Sequence, residues 1–308
     1  MNRAARCRSL LSSPPVWVVP GCVALLLFVP TRVQSDDRIA LLPKLRAGQT
    51  LRYDIRARIH RRVETESRVS TMVQTPDLNR ALSIRLLLSV KDVRDENGRP
   101  VVVARVDLQE EQETANGNAP RATPKVEFKL LGDGQLATVD GLDDLDPEQR
   151  LAWQFWIARF ACGWTLPPNG VKPEEKWKSE EVEKTPSPIA VLVWERETTY
   201  VENNRCPVVP EESCASFLTH ATLKQKSSPK DTTPEEYRLH ELKTSGTAQG
   251  TNEIITYISL KTGQVLRATE SAKQSMDVTI LKADGTNGVH YSIEATSQFE
   301  TVFVSAKP

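Results

Sequence analysis

The sequence is poor in the residues that build most active sites, and it has a single extended apolar run. Aromatic residues make up 6% of the 308 residues, and only four histidines and five cysteines are present. The apolar run, residues 16–29, has 14 residues, whereas a helix that spans a membrane needs about 20. No later segment is as apolar as this run, so we predict no transmembrane segment in the chain that follows it.

Signatures of common catalytic and cofactor sites are also missing. The sequence contains no Gly-x-Ser-x-Gly, Walker loop, Cys-x-x-Cys or His-Glu-x-x-His. We therefore predict no catalytic, metal or cofactor-binding residues and favour a protein that is not an enzyme. A hydrolase with a dispersed site is an alternative. It requires that two or more histidines converge with carboxylates in a cleft, and the histidines are His60, His220, His240 and His290.

Residues 1–35 are organised like a signal peptide. Three arginines lie within the first eight residues, the apolar run follows, and Val33-Gln34-Ser35 places a short apolar residue and a small residue at a cleavage site. The export machinery reads this order of charge, apolar stretch and small residues. We expect cleavage near Ser35 and a periplasmic or secreted mature protein. An uncleaved anchor and a lipoprotein processed at Cys22 are the alternatives.

The mature chain is close to neutral. Cleavage removes four arginines and no acidic residue from a chain with 40 basic and 40 acidic residues, which leaves a net charge of −4. Charges of both signs are interspersed along the chain, so we predict neither nucleic acid nor an anionic membrane surface as a partner.

Most of the mature chain alternates apolar and polar residues between turn signals. Leu51, Tyr53 and Ile55 fall on one side of a predicted strand, and charged residues fall on the other. Asn97-Gly98 favours a tight hairpin. Further strands are predicted at residues 83–90, 100–106, 253–260, 264–268 and 275–280. We therefore predict a mainly β fold, a β-rich α+β class with antiparallel, curved sheets.

One segment, residues 146–162, predicts an apolar helix instead. Asp146 and Pro147 suit the N-cap and the first helical position. The residues that follow are apolar around most of the helix, so the helix has to be buried against or between sheets. The chain then reaches Gly163, which ends the helix.

Aromatic residues concentrate in and after this helix. We predict there a candidate pocket for an apolar ligand, lined by Trp153, Phe155, Trp156, Phe160 and Trp164. The alternative is an ordinary aromatic core where the helix packs, because large aromatic side chains dominate such cores.

Two short segments indicate an internal duplication. Residues 128–136 and 257–265 align without a gap, with aromatic, Leu, Gly, Gln and aliphatic positions in common. We predict two related β-rich halves, residues 36–165, which end in the helix, and residues 166–308, which include an irregular loop at 202–235. The alternative is that any two hairpins with a Gly-Gln turn look alike over nine residues.

Three cysteines remain after cleavage. Cys206 and Cys214 are eight positions apart among prolines and polar residues, and they predict a disulfide that closes a small surface loop in an oxidising compartment. Two reduced surface thiols are the alternative. Cys162 lies in the apolar segment and predicts a buried small apolar side chain.

A basic stripe lies in the first predicted strand and is followed at once by Glu64 and Glu66. This pattern favours a solvated strand face. The stripe consists of Arg56, Arg58, His60, Arg61 and Arg62.

Several short landmarks follow the signal peptide in a fixed order: residues 47–53 (AGQTLRY), 166–168 (LPP), 171–177 (VKPEEKW) and 260–265 (LKTGQV). In this arrangement the chain resembles uncharacterised exported bacterial proteins of β-rich type. The resemblance implies export and a β-rich fold, and it carries no assigned activity.

The leading functional hypothesis is a non-enzymatic exported protein that binds a lipid or other apolar small molecule, or a partner protein of the cell envelope. It predicts a cavity lined by the tryptophan group. The other non-enzymatic hypothesis is a structural or interaction module of the envelope, which predicts a filled core and an exposed apolar patch.

Overall fold

A computed structural model describes most of the chain after residue 37. The described residues are 38–67, 75–96, 99–113, 125–131, 136–143, 169–183 and 187–307, together with residues 145, 150, 153, 156, 157, 166 and 167. The predicted signal peptide, residues 1–35, and Cys162 lie outside them. In the part of the chain that the structure describes, no helix is long and apolar enough to cross a membrane.

The described residues form one antiparallel sheet of eleven strands in the order β5-β4-β3-β2-β1-β11-β10-β9-β8-β7-β6, and the sheet is not closed. Consecutive strands are neighbours except β5 and β6, and β1 pairs with β11. The strands are β1 Thr50–Ser67, β2 Thr75–Glu96, β3 Arg99–Glu113, β4 Lys125–Leu131, β5 Leu136–Asp140, β6 Lys176–Val182, β7 Leu192–Arg205, β8 Ser213–Gln225, β9 Leu242–Ser259, β10 Val265–Lys282 and β11 Val289–Lys307. The predicted mainly β, antiparallel fold is confirmed.

The alternating sequence gives the sheet two different faces. Leu51 and Tyr53 of β1 are fully buried, whereas Arg56 and Arg58 are exposed, because successive side chains of a strand point to opposite sides. We call the side that carries Leu51 and Tyr53 the apolar face and the side that carries Arg56 and Arg58 the charged face. Residues paired across neighbouring strands share a face. The register therefore assigns each side chain of the eleven strands to the apolar face or to the charged face.

The main core lies at one end of β1 to β4 on the apolar face. It is a buried cluster in which Leu51, Tyr53, Leu86, Leu88, Val106, Val126 and Phe128 pack with Trp156 and Ile157. Burying one such large apolar side chain contributes about 1.5–3 kcal/mol. The cluster therefore anchors Trp156 and Ile157 to the sheet.

The predicted helix is present at the positions that the structure describes. Arg150, Trp153, Trp156 and Ile157 have helical backbone. Arg150 donates hydrogen bonds to the carbonyl oxygens of Leu142 and Asp143, both at 3.1 Å. Trp156 and Ile157 are buried, as the wide apolar arc of the sequence requires. The rest of the predicted helix lies outside the described residues.

The predicted irregular loop at 202–235 is wrong over most of its length. β7 continues to Arg205 and β8 occupies Ser213–Gln225, and a short helix, α1 Glu235–Leu239, follows. Ala215, Phe217 and Ala221 of β8 are buried on the apolar face. Two loops flank β8, one with prolines at 207 and 210 and the other rich in serine and proline after residue 226. These loop signals on both sides led to the prediction of a single long loop, although β8 itself alternates.

Two connecting segments meet at one end of β6 to β10. Ile39 and Val171 pair through backbone hydrogen bonds of 2.7 and 3.1 Å. Arg38 donates to the carbonyl oxygen of Gly170 and to Oε1 of Glu175, both at 2.8 Å. Burial raises the pKa of Glu175, but the hydrogen bond and charge of Arg38 outweigh it and leave this pKa below its ordinary value.

The division into two related halves stays a prediction. Residues from Arg38 onward form one compact unit. The pairing of β1 with β11 joins the strands of both predicted halves into one continuous sheet. The two similar segments both lie at hairpins, one between β4 and β5 and the other between β9 and β10.

Candidate functional site

The two described tryptophans of the predicted pocket belong to an aromatic chain in the core. The ring centroids of Trp153 and Trp156 are 6.3 Å apart, and Trp156 meets Tyr53 edge-on at 5.9 Å. Tyr53 in turn meets Phe303 of β11 at 5.6 Å. Edge-to-face contacts at these distances stabilise aromatic pairs. Phe155, Phe160 and Trp164 lie outside the described residues, so the pocket that the five residues would line stays a prediction.

The aromatic chain leads onto a stretch of the apolar face that is only half covered. Beyond Phe303, the apolar-face residues Phe299 and Ile293 of β11 are partly exposed, and so are Ile55 and Ile59 of β1. The register places Ile55 beside Thr301, Ala57 beside Phe299, Ile59 beside Ser297 and Arg61 beside Ala295. Apolar residues predominate in this row, and Thr301, Ser297 and Arg61 interrupt it. We call this half-covered row the apolar track. It runs for about 34 Å from Phe303 to Ile293 at about 3.4 Å per residue.

An apolar cleft of about 80 Å³ lies at the far end of the apolar track. Its lining comes from five strands, β7 to β11, and from the segment before β7. The apolar part of the lining is Leu192, Leu223, Ala248, Met276, Ile293 and Ala295. This volume holds several water molecules or a short piece of an apolar chain.

A band of buried polar side chains crosses the apolar face between the cleft and a second core cluster, in which Val171, Tyr200, Phe217 and Val265 pack together. The hydroxyls of Thr198 and Thr219 are 2.9 Å apart, and Asn252 Nδ2 donates to Oε1 of Glu270 at 2.5 Å. Arg196 forms an ion pair with Glu181. Buried charges need such partners, and the band fixes how β6 to β10 pack.

The charged face carries two adjoining cavities of about 620 and 610 Å³ over β2, β1, β11, β10 and β9. The polar and charged lining of the first comes from Arg58, His60, Asn79, Ser271, Lys273, Thr296 and Gln298. The second extends toward Arg56, Arg267 and Glu300. The basic stripe of the sequence thus divides, since Arg56, Arg58, His60 and Arg62 lie on the charged face and Arg61 on the apolar face by alternation.

No two histidines line the same cavity among those described. His60 lies 2.6 Å from Oδ1 of Asn79, His220 lies 3.5 Å from Glu253, and His290 lies 3.1 Å from Asp277. His60 and His220 are four strands apart in the sheet, about 19 Å at the usual strand spacing. His240 follows α1. The convergence that the hydrolase hypothesis requires is therefore not found.

The predicted disulfide between Cys206 and Cys214 is confirmed, with a Cα–Cα distance of 5.0 Å. It joins the end of β7 to the start of β8. Both half-cystines are buried, packed with Leu266, whereas the loop that they close is at the surface, with Pro207, Pro210 and Glu211 exposed. The bridge is buried because Cys214 is already part of the sheet, paired with Ser259 of β9.

The large apolar side chains that the structure shows as exposed are scattered rather than clustered. They are Val182, Val191, Val201, Leu239, Ile255 and Val304. Single exposed apolar side chains are normal on soluble proteins. The exposed apolar stretch that the interaction-module hypothesis requires is thus limited, among the described residues, to the half-covered apolar track, and that hypothesis stays a prediction.

The sequence interpretation did not identify the apolar track, the apolar cleft or the cavities of the charged face. The apolar track combines two strands that are far apart in sequence, and the cleft and the two cavities each combine four or more. A single sequence does not show which strands are neighbours. A local signal exists in β11, where residues 293–298 alternate half-buried and exposed positions with Ile293 and Ala295 on one side.

Comparisons with known proteins do not place the chain in a family. No family model matches it, and no curated protein matches it. Among solved structures, the chain is similar at 10% identity to an outer membrane channel from Pseudomonas putida F1, over 84% of this chain and 97% of that chain, with a TM-score of 0.15. A TM-score this low carries no argument about fold or function.

Proposed function

We propose that this protein is a non-enzymatic exported protein that binds an apolar, chain-like ligand along the apolar face of its sheet. The observation that supports the proposal is the apolar track, which connects the aromatic chain at Trp156 to the apolar cleft at Met276. Binding would bury the half-exposed side chains of the track. The core residues on the same strands are already buried by other parts of the protein.

The shape of the apolar track favours a chain-like ligand over a compact one. The track is long, about 34 Å from Phe303 to Ile293 by strand geometry, while the cleft at its end holds only about 80 Å³. A ligand that fits both has to be extended and narrow, as an acyl chain is. Each 100 Å² of apolar surface that such a ligand covers contributes about 2.5 kcal/mol to binding.

The polar surroundings of the apolar track are compatible with a ligand that has a polar end. Gln274 and Glu183 line the cleft together with its apolar residues. Ligand sites are typically apolar with a few polar groups that fix orientation. We infer that the apolar chain lies along the track and that its polar end is near Gln274.

The test is native mass spectrometry of the mature protein, purified gently from its exported compartment, followed by organic extraction. We expect a mass that begins at Asp36 and a co-purifying lipid or other apolar molecule. Palmitate is the defined probe for the stripped protein, and we expect it to bind.

Two variants and a matched control locate the site. Met276→Gln and Ile293→Gln place a polar group in the cleft, so we expect them to weaken palmitate binding at least tenfold. Val302→Gln makes the same kind of change on β11 but on the charged face, and we expect binding to be unchanged. The absence of palmitate binding, or equal binding by all three variants, would refute the proposal.

A further inference from the structure

The first cavity of the charged face has an unusual balance of charge. Its lining includes Arg58, Lys273 and His60 but no carboxylate. In the described part of the chain, neither Arg58 nor Lys273 forms an ion pair. The neighbouring cations differ: Arg85 pairs with Asp54 at 3.0 Å, and Arg267 pairs with Glu300 at 2.8 Å.

Strand register brings the two cations to opposite sides of one space. His60 of β1 is paired with Thr296 of β11, which is paired with Lys273 of β10. In the next row on the same face, Arg58 is paired with Gln298. Arg58 and Lys273 are therefore two strands and two residues apart, about 12 Å between Cα atoms by sheet geometry, with only Thr296 and Gln298 between them.

The carboxylates around the cavity lie outside its lining. Asp77 of β2 is on the same face, two residues from Asn79. Glu300 holds Arg56 and Arg267, and Glu253 lies near His220. Glu294 is in the row beyond Thr296, opposite Arg62. Arg58 and Lys273 are thus the cations of the lining, and the nearest carboxylates are outside it.

We propose that this cavity is a second binding site, for a hydroxylated organic anion such as a sugar phosphate or an acidic sugar. The Arg58 guanidinium suits bidentate binding of a carboxylate or phosphate, and the Lys273 ammonium adds a compact positive charge. The hydroxyls of Ser271 and Thr296 and the amide of Gln298 donate to and accept from ligand hydroxyls. About 620 Å³ lies within the usual range for small-molecule sites.

This site is independent of the apolar track. It lies on the opposite face of the sheet, and the charged side chains that define it, Arg58 and Lys273, point away from the track. A negative result for the anion therefore leaves the palmitate experiment unaffected, and the reverse also holds.

The test is isothermal titration of the mature protein with three ligands that share one sugar body: glucose 6-phosphate, glucuronate and glucose. We expect at least one of the two anions to bind with a Kd below about 1 mM, which corresponds to about −4 kcal/mol. Glucose lacks the charge and is expected not to bind. The two anions distinguish a phosphate from a carboxylate preference.

Three variants assign the binding to this cavity. Arg58→Gln and Lys273→Gln each remove one cation from an exposed position, so the fold is expected to stay intact, and we expect binding to weaken about ten- to hundredfold. Arg62→Gln is the matched control, because Arg62 is on the same strand and face but pairs with Glu64 and does not line the cavity. Binding of neither anion, equal binding of glucose, or a Kd unchanged in both Arg58→Gln and Lys273→Gln would overturn the proposal.

Discussion

Reduction of the Cys206–Cys214 bridge is expected to lower the free energy of unfolding by about 2.5 kcal/mol. The bridge closes a loop of nine residues, counted from one cysteine to the other. The chain-entropy relation for a cross-link of this size gives about 2.5 kcal/mol at 25 °C, because the unfolded chain regains the freedom that the bridge removes. The bridge links β7 and β8 directly, so the loss applies to the sheet and not to a separate loop.

Equilibrium unfolding in urea, followed by tryptophan fluorescence, measures this change. With a slope of about 3 kcal/mol per M for a chain of this size, the midpoint is expected to fall by about 0.8 M when reductant is added. Because Cys206 and Cys214 are buried, we expect reduction of the folded protein to be slow and to speed up as urea is raised. The double variant Cys206→Ala, Cys214→Ala is the control, and its midpoint should not respond to reductant.

A midpoint that stays within about 0.2 M of the oxidised value, in protein whose two thiols are shown to be free, would refute the reasoning. It would mean that the β7–β8 pairing already restrains this loop in the unfolded ensemble. In that case the bridge would add no further restriction.

Three other changes test separate parts of the fold. Gly263→Ala is expected to destabilise the protein by at least 2 kcal/mol, seen as a lower Tm, because Gly263 has φ of 67° and an added Cβ would lie 1.9 Å from the carbonyl oxygen of Leu42. Trp156→Ala is expected to cost about 3–5 kcal/mol in a urea titration, because Trp156 is buried in the main core. Asp231→Asn is expected to lower stability at neutral pH, since hydrogen bonds from Thr233 hold the pKa of Asp231 at about 2, below its ordinary value of 3.8. This stabilisation is complete above pH 3.8 and is lost as the pH falls through 2, so the Tm difference between Asp231→Asn and the unmodified protein should vanish there.

Local pattern was enough to predict several of the strands and the two faces of β1. The alternation that begins at Leu51 predicted that Tyr53 would be buried and that Arg56 and Arg58 would be exposed, and both are found. Asn97-Gly98 predicted a hairpin, and β2 and β3 are paired up to Glu96 and Arg99 on either side of it. These features depend on a few adjacent residues, which a sequence shows directly.

Features that depend on distant residues were not predicted. β9 begins at Leu242, about ten residues before the strand that the sequence indicated. Residues 243–251 are polar or small on both faces, and they become a strand by pairing with β10 and, from Gly250 onward, with β8. The cavity at Arg58 needs Lys273 beside Thr296, and nothing near either residue in the sequence indicates that contact. The site therefore depends on register, which is a property of the assembled sheet.

The pairing of β1 with β11 also determines when this protein is able to fold. The central ladder joins residues 50–67 to residues 289–307, so its contacts have a sequence separation of more than 200 residues. Contacts this distant slow folding, because the whole intervening chain has to be ordered or looped out first. An exported chain would thus cross its membrane before the two central strands met. Deletion of the last 19 residues would leave two smaller sheets, β1 to β5 and β6 to β10, each with a new unpaired edge open to aggregation.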